Sequence, residues 1–262
     1  LTARKKQRLD LLLVERGLVA DIDQARRLIG SGVVRVDEQR ADKVGSRVLF
    51  DARLTVKETK RYVSRGGDKL ESGLRGLGLS PAGLVCVDVG SSTGGFSDCL
   101  LQHGARKVYC VDVGYGLLDW KLRRDARVVV LERTNARHLS SEHIPEPIDL
   151  AVIDASFISL EPLLAPLIPL FHGDVRIVAL VKPQFQLPRE LVAPGGIVVD
   201  ADLQQQALAM VRQFAQELGL HCVRAVASEV KGAKGNQEYF MLLIGTPGPG
   251  AQGNENYQPR RT

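Results

Sequence analysis

Residues 84–104 read LVCVDVGSSTGGFSDCLLQHG, and this stretch decides the fold. Leu84 to Val89 is an apolar run interrupted only by Asp88, the pattern of a strand buried on both faces. Gly90, Gly94 and Gly95 then mark a strand-to-helix turn. Small residues at such a turn let backbone N–H groups approach a ligand in the crevice beyond the strand ends. The spacing is neither G-x-G-x-x-G nor G-x-x-x-x-G-K-[ST], which disfavours a dinucleotide or a triphosphate. Asp88, at the end of the strand, suits a cationic or hydroxyl-bearing ligand better than a pyrophosphate. A second acid, Asp112, ends the next apolar run, where it can accept hydrogen bonds from both hydroxyls of a ribose. An acid–glycine loop with a second acid describes an S-adenosylmethionine site. The same residues also read as a tight turn needing glycine for packing, with Asp112 as a helix cap.

Outward from this loop, apolar runs alternate with helix-length segments. Strands are predicted at Leu84–Val89, Val108–Val113, Val128–Leu131, Leu150–Ile153 and Ile177–Val181, a parallel sheet of βαβ units. The end differs: a long helix over Asp202–Leu218 precedes strand-like Cys222–Ala227 and Tyr239–Ile244, a plausible hairpin. Six or seven strands closing in a hairpin match an α/β, Rossmann-like class I methyltransferase domain better than a plain dinucleotide fold. The tail from Gly245 is rich in Gly, Pro, Asn, Gln and Arg and reads as disordered.

The first 60 or so residues read as a separate small α/β unit. Helices are predicted around Leu9–Val14, stopped by Gly17, and from Asp21 or Asp23 through Ala25, Leu28 and Ile29 to Gly30 and Gly32. Val33, Val34 and Val36 read as a strand, Asp37-Glu38 as a turn, and Val48, Leu49, Leu54 and Val56 as further strand material. Charge separates this unit from the rest. Residues 1–62 hold 15 Lys+Arg against 9 Asp+Glu, and residues 63–262 hold 20 against 21, so the net charge of +5 comes wholly from the first quarter. A basic appendage on a near-neutral body points to a polyanion partner.

The chain has 262 residues, 44% hydrophobic and 25% charged, which excludes disorder throughout and a disulfide-stapled miniprotein. The longest apolar stretch, Ile148 to Phe171, is cut by Asp149, Asp154, Glu161 and three prolines, so no membrane-spanning helix is expected. No signal peptide is legible, and Cys86, Cys99, Cys110 and Cys222 form no C-x-x-C pair, so no metal site is expected and a reducing cytoplasm fits. No heptads appear, which makes a monomer the default.

Four charged residues stand where catalysis at strand ends would need them. Asp154 follows LAVI, Lys182 follows IVALV, Glu238 opens the last strand-like run, and Lys69 lies in SRGGDKL. A Lys–Asp–Lys–Glu set suits methylation of a ribose 2′-hydroxyl, a weak nucleophile that must be deprotonated or nearly so. A lysine among carboxylates can orient that hydroxyl and stabilise the developing alkoxide; a lysine desolvated beside another can instead act as base. The sequence leaves both open.

Two resemblances bear on this. R-L-D-x-L-L at Arg8–Leu13, A-R-R-L-I-x-x-G at Ala25–Gly32 and V-x-V-D at Val34–Asp37 resemble the S4-like RNA-binding domain. The Ser-Arg pair that often opens its second helix is Asp21 and Ile22 here. The candidate RNA-contacting residues are Arg4, Lys5, Lys6, Arg8, Arg16, Arg26, Arg27, Arg35 and Arg65. From VSRGGDKL (63–70) through DVGSSTGGFSDCLL (88–101), DVGYGLLDW (112–120), RVVVLERTNAR (127–137), DLAVIDASFISL (149–160), LVKPQF (180–185) and PGGIV (194–198) to GNQEYF (235–240), the chain resembles the TlyA family. That family carries both hemolysin and ribosomal RNA 2′-O-methyltransferase names.

The TlyA resemblance implies an S4-like domain over residues 1–59, a linker over 60–67, an FtsJ-type S-adenosylmethionine-dependent domain over 68–246 and a tail over 247–262. It implies Lys69, Asp154, Lys182 and Glu238 as a catalytic tetrad acting on cytidine ribose in ribosomal RNA, 16S or 23S or both, and leaves open naked RNA, a subunit or an assembled particle as the substrate. The cofactor positions it implies are Asp88, Gly90, Ser91, Ser92, Thr93, Gly94, Gly95, Phe96, Asp112, Val113 and Asn135, with Phe157 lining the site. Tyr62 stands where the family commonly has Trp, and Asp68 where it often has His. Two other functions compete. A membrane-active cytolysin finds no apolar hairpin or long basic amphipathic helix in the sequence. A non-catalytic RNA-binding assembly factor has no reason to keep four costly charges.

Overall fold

The computed structural model describes residues 5–57 and 61–246. Arg4, linker residues 58–60 and the tail 247–262 lie outside the described residues. The chain divides into two compact units, residues 1–60 and 61–262.

In unit 1, β1 (Lys6–Arg8) leads directly into α1 (Leu9–Glu15), followed by α2 (Ile22–Gly30), β2 (Val34–Val36), β3 (Gln39–Ala41), β4 (Arg47–Leu49) and β5 (Leu54–Val56). Asp21 caps α2 by accepting from the Gln24 N–H at 2.7 Å. Leu9, Leu12, Leu13, Ala25, Ile29 and Val34 form the core of the unit. The pair Asp37 and Glu38 adopts φ of +49° and +66°, the left-handed geometry of a two-residue hairpin turn, and joins β2 to β3. One element departs from expectation. The basic stretch before Leu9 contains a strand, because β1 finds an antiparallel partner in β4, far along the sequence.

Unit 2 runs α3 (Arg65–Leu77), β6 (Val85–Val89), α4 (Gly95–Gln102), β7 (Lys107–Val111), α5 (Trp120–Arg123), β8 (Val128–Leu131), β9 (Leu150–Ile153), α6 (Glu161–Leu164), β10 (Val175–Val181), α7 (Pro183–Gln186), α8 (Ala201–Glu217), β11 (His221–Ala227) and β12 (Tyr239–Gly245). Its sheet has the order β8-β7-β6-β9-β10-β12-β11. β6 to β10 pair in parallel, and β12 alone runs against both of its neighbours. Alternate residues of each strand feed two cores: Val85, Val87 and Val89 join Leu164, Leu208 and Val211, whereas Cys86 joins Leu70, Leu100 and Phe240.

Two consequences place the site. Strand order reverses between β6 and β9, which opens a crevice at the carboxyl ends of those strands. The reversed β12 starts where β10 ends, with Val181 opposite Tyr239, so residues 182 and 238 meet at that same edge.

The described part of the expected linker is folded into unit 2. Tyr62 is buried, Ser64 caps α3 by accepting from the Gly66 N–H, and Arg65 to Gly67 form the first turn of that helix. Polar and glycine-rich composition reads as a connector, but here the glycines serve contact: a Cβ on Gly67 would stand 2.1 Å from the Tyr62 ring. β7 ends at Val111 rather than Val113, because Asp112 turns its carboxylate back onto the backbone N–H groups of Ser92 and Gly114, both at 2.7 Å. All four cysteines are free thiols, and burial pushes those of Cys86, Cys99 and Cys110 up to about 12. Among the described residues no helix is long and apolar enough to cross a membrane, and no cluster of His, Cys, Asp and Glu could hold a metal ion.

Candidate active site

A cleft of about 260 Å³ opens at the carboxyl edge of the sheet. Its walls are Ser64 to Gly66 and Lys69 around the start of α3, the loop residues Gly90–Thr93, Gly95 and Phe96, Asp154, and Val230–Gly232. The glycine loop is shaped first by protein packing. Gly90 has φ of +82°, and a Cβ there would stand 2.7 Å from the Asp154 carbonyl oxygen. A Cβ on Gly95 would meet Ser64 Oγ at 2.2 Å. Gly94 supplies the cap position of α4 and is absent from the cleft wall.

Asp88 is fully buried at the end of β6. The Ser97 hydroxyl donates to its Oδ2 at 2.6 Å, and Oδ1 has no hydrogen-bond partner. Burial pushes this carboxyl up to about 7 against the pull of the Ser97 hydrogen bond, with the charges of Asp154 and Asp112 adding to the rise. Asp112 accepts one backbone N–H on each oxygen, which ties the ends of β6 and β7 together and leaves further lone pairs on both. Asp112 caps no helix, since α4 is capped at Gly94 and α5 at Asp119; its carboxylate braces the two loops instead. Val113, just beyond it, is exposed. Asn135 opens a short helical turn, its Oδ1 accepting from the Arg137 N–H at 3.1 Å. Phe157 has φ of +66° and is 91% exposed, its ring 5.3 Å from that of Phe185.

The four charged residues form two ion pairs. Lys69 Nζ donates to Glu238 Oε2 at 2.6 Å. Lys182 Nζ lies 2.5 Å from Asp154 Oδ1 and donates to Ser156 Oγ at 2.8 Å. Asp154 Oδ1 is buried against the Lys182 ammonium, which is its partner in the pair. Glu238, Lys182 and Lys69 are largely buried, and Asp154 is the most accessible of the four. Taking two ion pairs out of water is a poor route to stability, which fits a cost kept for chemistry. Ser64, Ser156 and the segment Val230–Gly232 were not legible as site residues. The hairpin glycines carried a weak signal: a Cβ on Gly232 would stand 2.0 Å from Glu238 Oε1.

Among the basic residues of unit 1, several already bind the protein itself. Arg8 grips buried Asp10 with Nε at 3.0 Å and Nη2 at 2.6 Å, and Arg26 adds a contact at 3.5 Å. The hydrogen bond from Arg8 leads in holding the Asp10 carboxyl below the usual carboxylate range. Arg16 donates to the carbonyl oxygens of Ala52, at 2.6 Å, and Phe50, and Arg35 to that of Glu38 at 3.0 Å. Lys5 lies 4.9 Å from the centre of the Phe50 ring, and Lys6 and Arg27 are exposed. Arg65 belongs to unit 2, at the cleft.

Comparison with known proteins gives the same two parts. Residues 62–244 match the family model of the FtsJ-like methyltransferases, and residues 7–54 match that of the S4 domain. A Mycobacterium tuberculosis protein named 16S/23S rRNA (cytidine-2′-O)-methyltransferase TlyA is 46% identical over 241 residues, 91% of this chain and 90% of that protein. Hemolysin A of Brachyspira hyodysenteriae is 37% identical over 90% of this chain and 99% of its own. A solved Streptococcus thermophilus structure with a hemolysin name superposes at a TM-score of 0.69 and 39% identity, covering 93% of this chain and 90% of that one.

Proposed function

The chain belongs to the FtsJ-like methyltransferase family, within its TlyA branch, and carries an S4 domain; from that premise we propose that it methylates the ribose 2′-hydroxyl of a cytidine in ribosomal RNA with S-adenosylmethionine as donor. The observation that carries this reading is the pair of Lys–carboxylate contacts, Lys69–Glu238 and Lys182–Asp154, of which Lys69 and Asp154 line the cleft beside the glycine loop.

The residues fit the donor. Asp88 offers a buried oxygen with no partner, Asp112 offers spare lone pairs for ribose hydroxyls, and the cleft is lined mostly by backbone and small polar side chains. Asp88, Asp112 and the loop from Gly90 to Phe96 would hold it, with Val113 and Asn135 at the next strand ends. When bound, S-adenosylmethionine supplies a methyl group on a sulfonium leaving group. The chain's own task is then positioning and proton handling. Lys182, an ammonium paired with Asp154, orients the 2′-oxygen and stabilises negative charge on it. The hydroxyl proton becomes strongly acidic as the new C–O bond forms, so the Asp154 carboxylate, the most accessible of the four groups, suffices to take it. Lys69 and Glu238 fix the second wall of the site. The exposed basic residues of the S4 unit, Lys6 and Arg27 among them, hold rRNA phosphates. We place the protein in the cytoplasm, acting as a monomer.

The test uses methyl-labelled S-adenosylmethionine with isolated small and large ribosomal subunits. Label at an alkali-resistant linkage after a cytidine is the expected result and names the subunit. Label on a base, or no label on either subunit with the donor bound, overturns the reading.

A further inference from the structure

The loop after β7 exposes more apolar surface than the cleft accounts for. Tyr115 is 68% exposed, Leu117 49% and Trp120 63%. Single exposed apolar residues need no explanation, but three within six positions do. Each aromatic ring carries a guanidinium: Arg133 lies 4.2 Å from the centre of the Tyr115 ring, and Arg124 4.7 Å from that of Trp120. Neighbouring cations are neutralised, Lys121 by Asp98, Arg123 by Glu132 and Arg127 by Asp125. Arg124 and Arg133 have no carboxylate within ion-pair distance among the described residues.

The backbone is fixed to hold this arrangement. Arg133 has φ of +54°, rare for a side chain of its size, and its N–H donates to the Gly114 carbonyl at 3.0 Å. Gly114 is held in turn by Asp112. The result is a strip of exposed aromatic rings, each beside a guanidinium that no carboxylate among the described residues neutralises. Unpaired RNA is recognised by that chemistry, with bases on aromatic faces and phosphates on arginines. A membrane surface would call for an amphipathic helix of several turns, whereas this strip sits on a loop and the four-residue α5.

We propose that Tyr115, Trp120, Arg124 and Arg133 form an RNA-stacking strip on unit 2 that takes unpaired nucleotides, separate from the S4 unit and from the Lys–carboxylate pairs. This rests on the reading that the substrate is RNA. Trp120 is the only tryptophan in the chain, so its fluorescence reports on this strip alone.

The experiment titrates the full chain with a single-stranded oligoribonucleotide, with heparin, with S-adenosylmethionine and with anionic phospholipid vesicles. RNA binding is followed in parallel by anisotropy of labelled RNA. The proposal expects RNA, and not heparin, to quench Trp120. It expects Trp120→Ala to weaken RNA binding about tenfold, Trp120→Phe to restore it, and the donor's Kd to stay unchanged in both. RNA binding with Trp120 emission and Trp120→Ala affinity both unaltered overturns the strip and leaves the proposed reaction standing. Quenching by S-adenosylmethionine alone assigns the rings to the donor's adenine instead. A blue shift with vesicles but not with RNA assigns them to a membrane. No RNA binding by any measure defeats the RNA reading itself.

Discussion

At the amino-terminal edge of the large sheet, Asp149 accepts from the Val85 N–H at 2.8 Å, and Glu146 accepts from Lys107 and from the Tyr109 hydroxyl. At the carboxyl-terminal edge, Asp88 Oδ1 and Gln184 Oε1 are buried with no hydrogen-bond partner, and Ser92, Arg133 and Phe157 hold left-handed backbone. The residue types are similar and the strands are the same. One edge satisfies its polar groups within the protein, whereas the other keeps them open for something the protein binds. Unsatisfied groups and strained backbone cost stability, so their collection at one edge marks where that cost serves function.

Mutations should break the two edges differently. The largest stability effect is expected at the functional edge from Lys69→Met, which strands Glu238 without its cation. A loss of about 3–5 kcal/mol is expected in denaturant unfolding, with transfer abolished. Adding Glu238→Leu to Lys69→Met should recover most of the stability and none of the transfer. Recovery of transfer would make the pair merely structural.

Asp88 gives a pH signature. Its carboxyl is raised from 3.8 to about 7, so between those values the folded state holds a proton that the unfolded state has lost. Its contribution to stability therefore falls as pH rises from about 4 to about 7 and is level above that. Asp88→Asn should flatten this slope in thermal melts across that range; an unchanged slope would mean another group sets it.

The smallest of the three belongs to the quiet edge. Asp149→Ala leaves the Val85 N–H without its acceptor and should cost about 1–3 kcal/mol, with methyl transfer per folded molecule unchanged. Loss of turnover in that variant would erase the distinction between the edges.

Much of this was legible in sequence. Strand positions followed from apolar runs, the crevice from the alternation of strands and helices, and Asp154, Lys182 and Glu238 from their places at strand ends, with Lys69 from its motif on α3. What was not legible depended on partners distant in sequence. The polar, glycine-rich run before Lys69 reads as a connector until Tyr62 is seen against Gly67 and Ser64 against Gly95. Arg8, Arg16 and Arg26 read as free phosphate contacts, yet each already binds a group within unit 1. The composition of KGAKGN suggests a plain hairpin connection, and only the packing of Gly232 on Glu238 brings it to the cleft. Periodicity records which face a residue presents to the core. It does not record which distant side chain neutralises a charge.

The proposed reaction requires Lys182 to act in transfer and not in holding the donor. The direct test compares wild type and Lys182→Ala by donor-binding calorimetry and by single-turnover methyl transfer to ribosomal subunits. The account predicts donor affinity within a few-fold of wild type and a transfer rate lower by about 10²–10⁴. Transfer at the wild-type rate, or a fall in transfer matched by an equal fall in donor affinity, would contradict it.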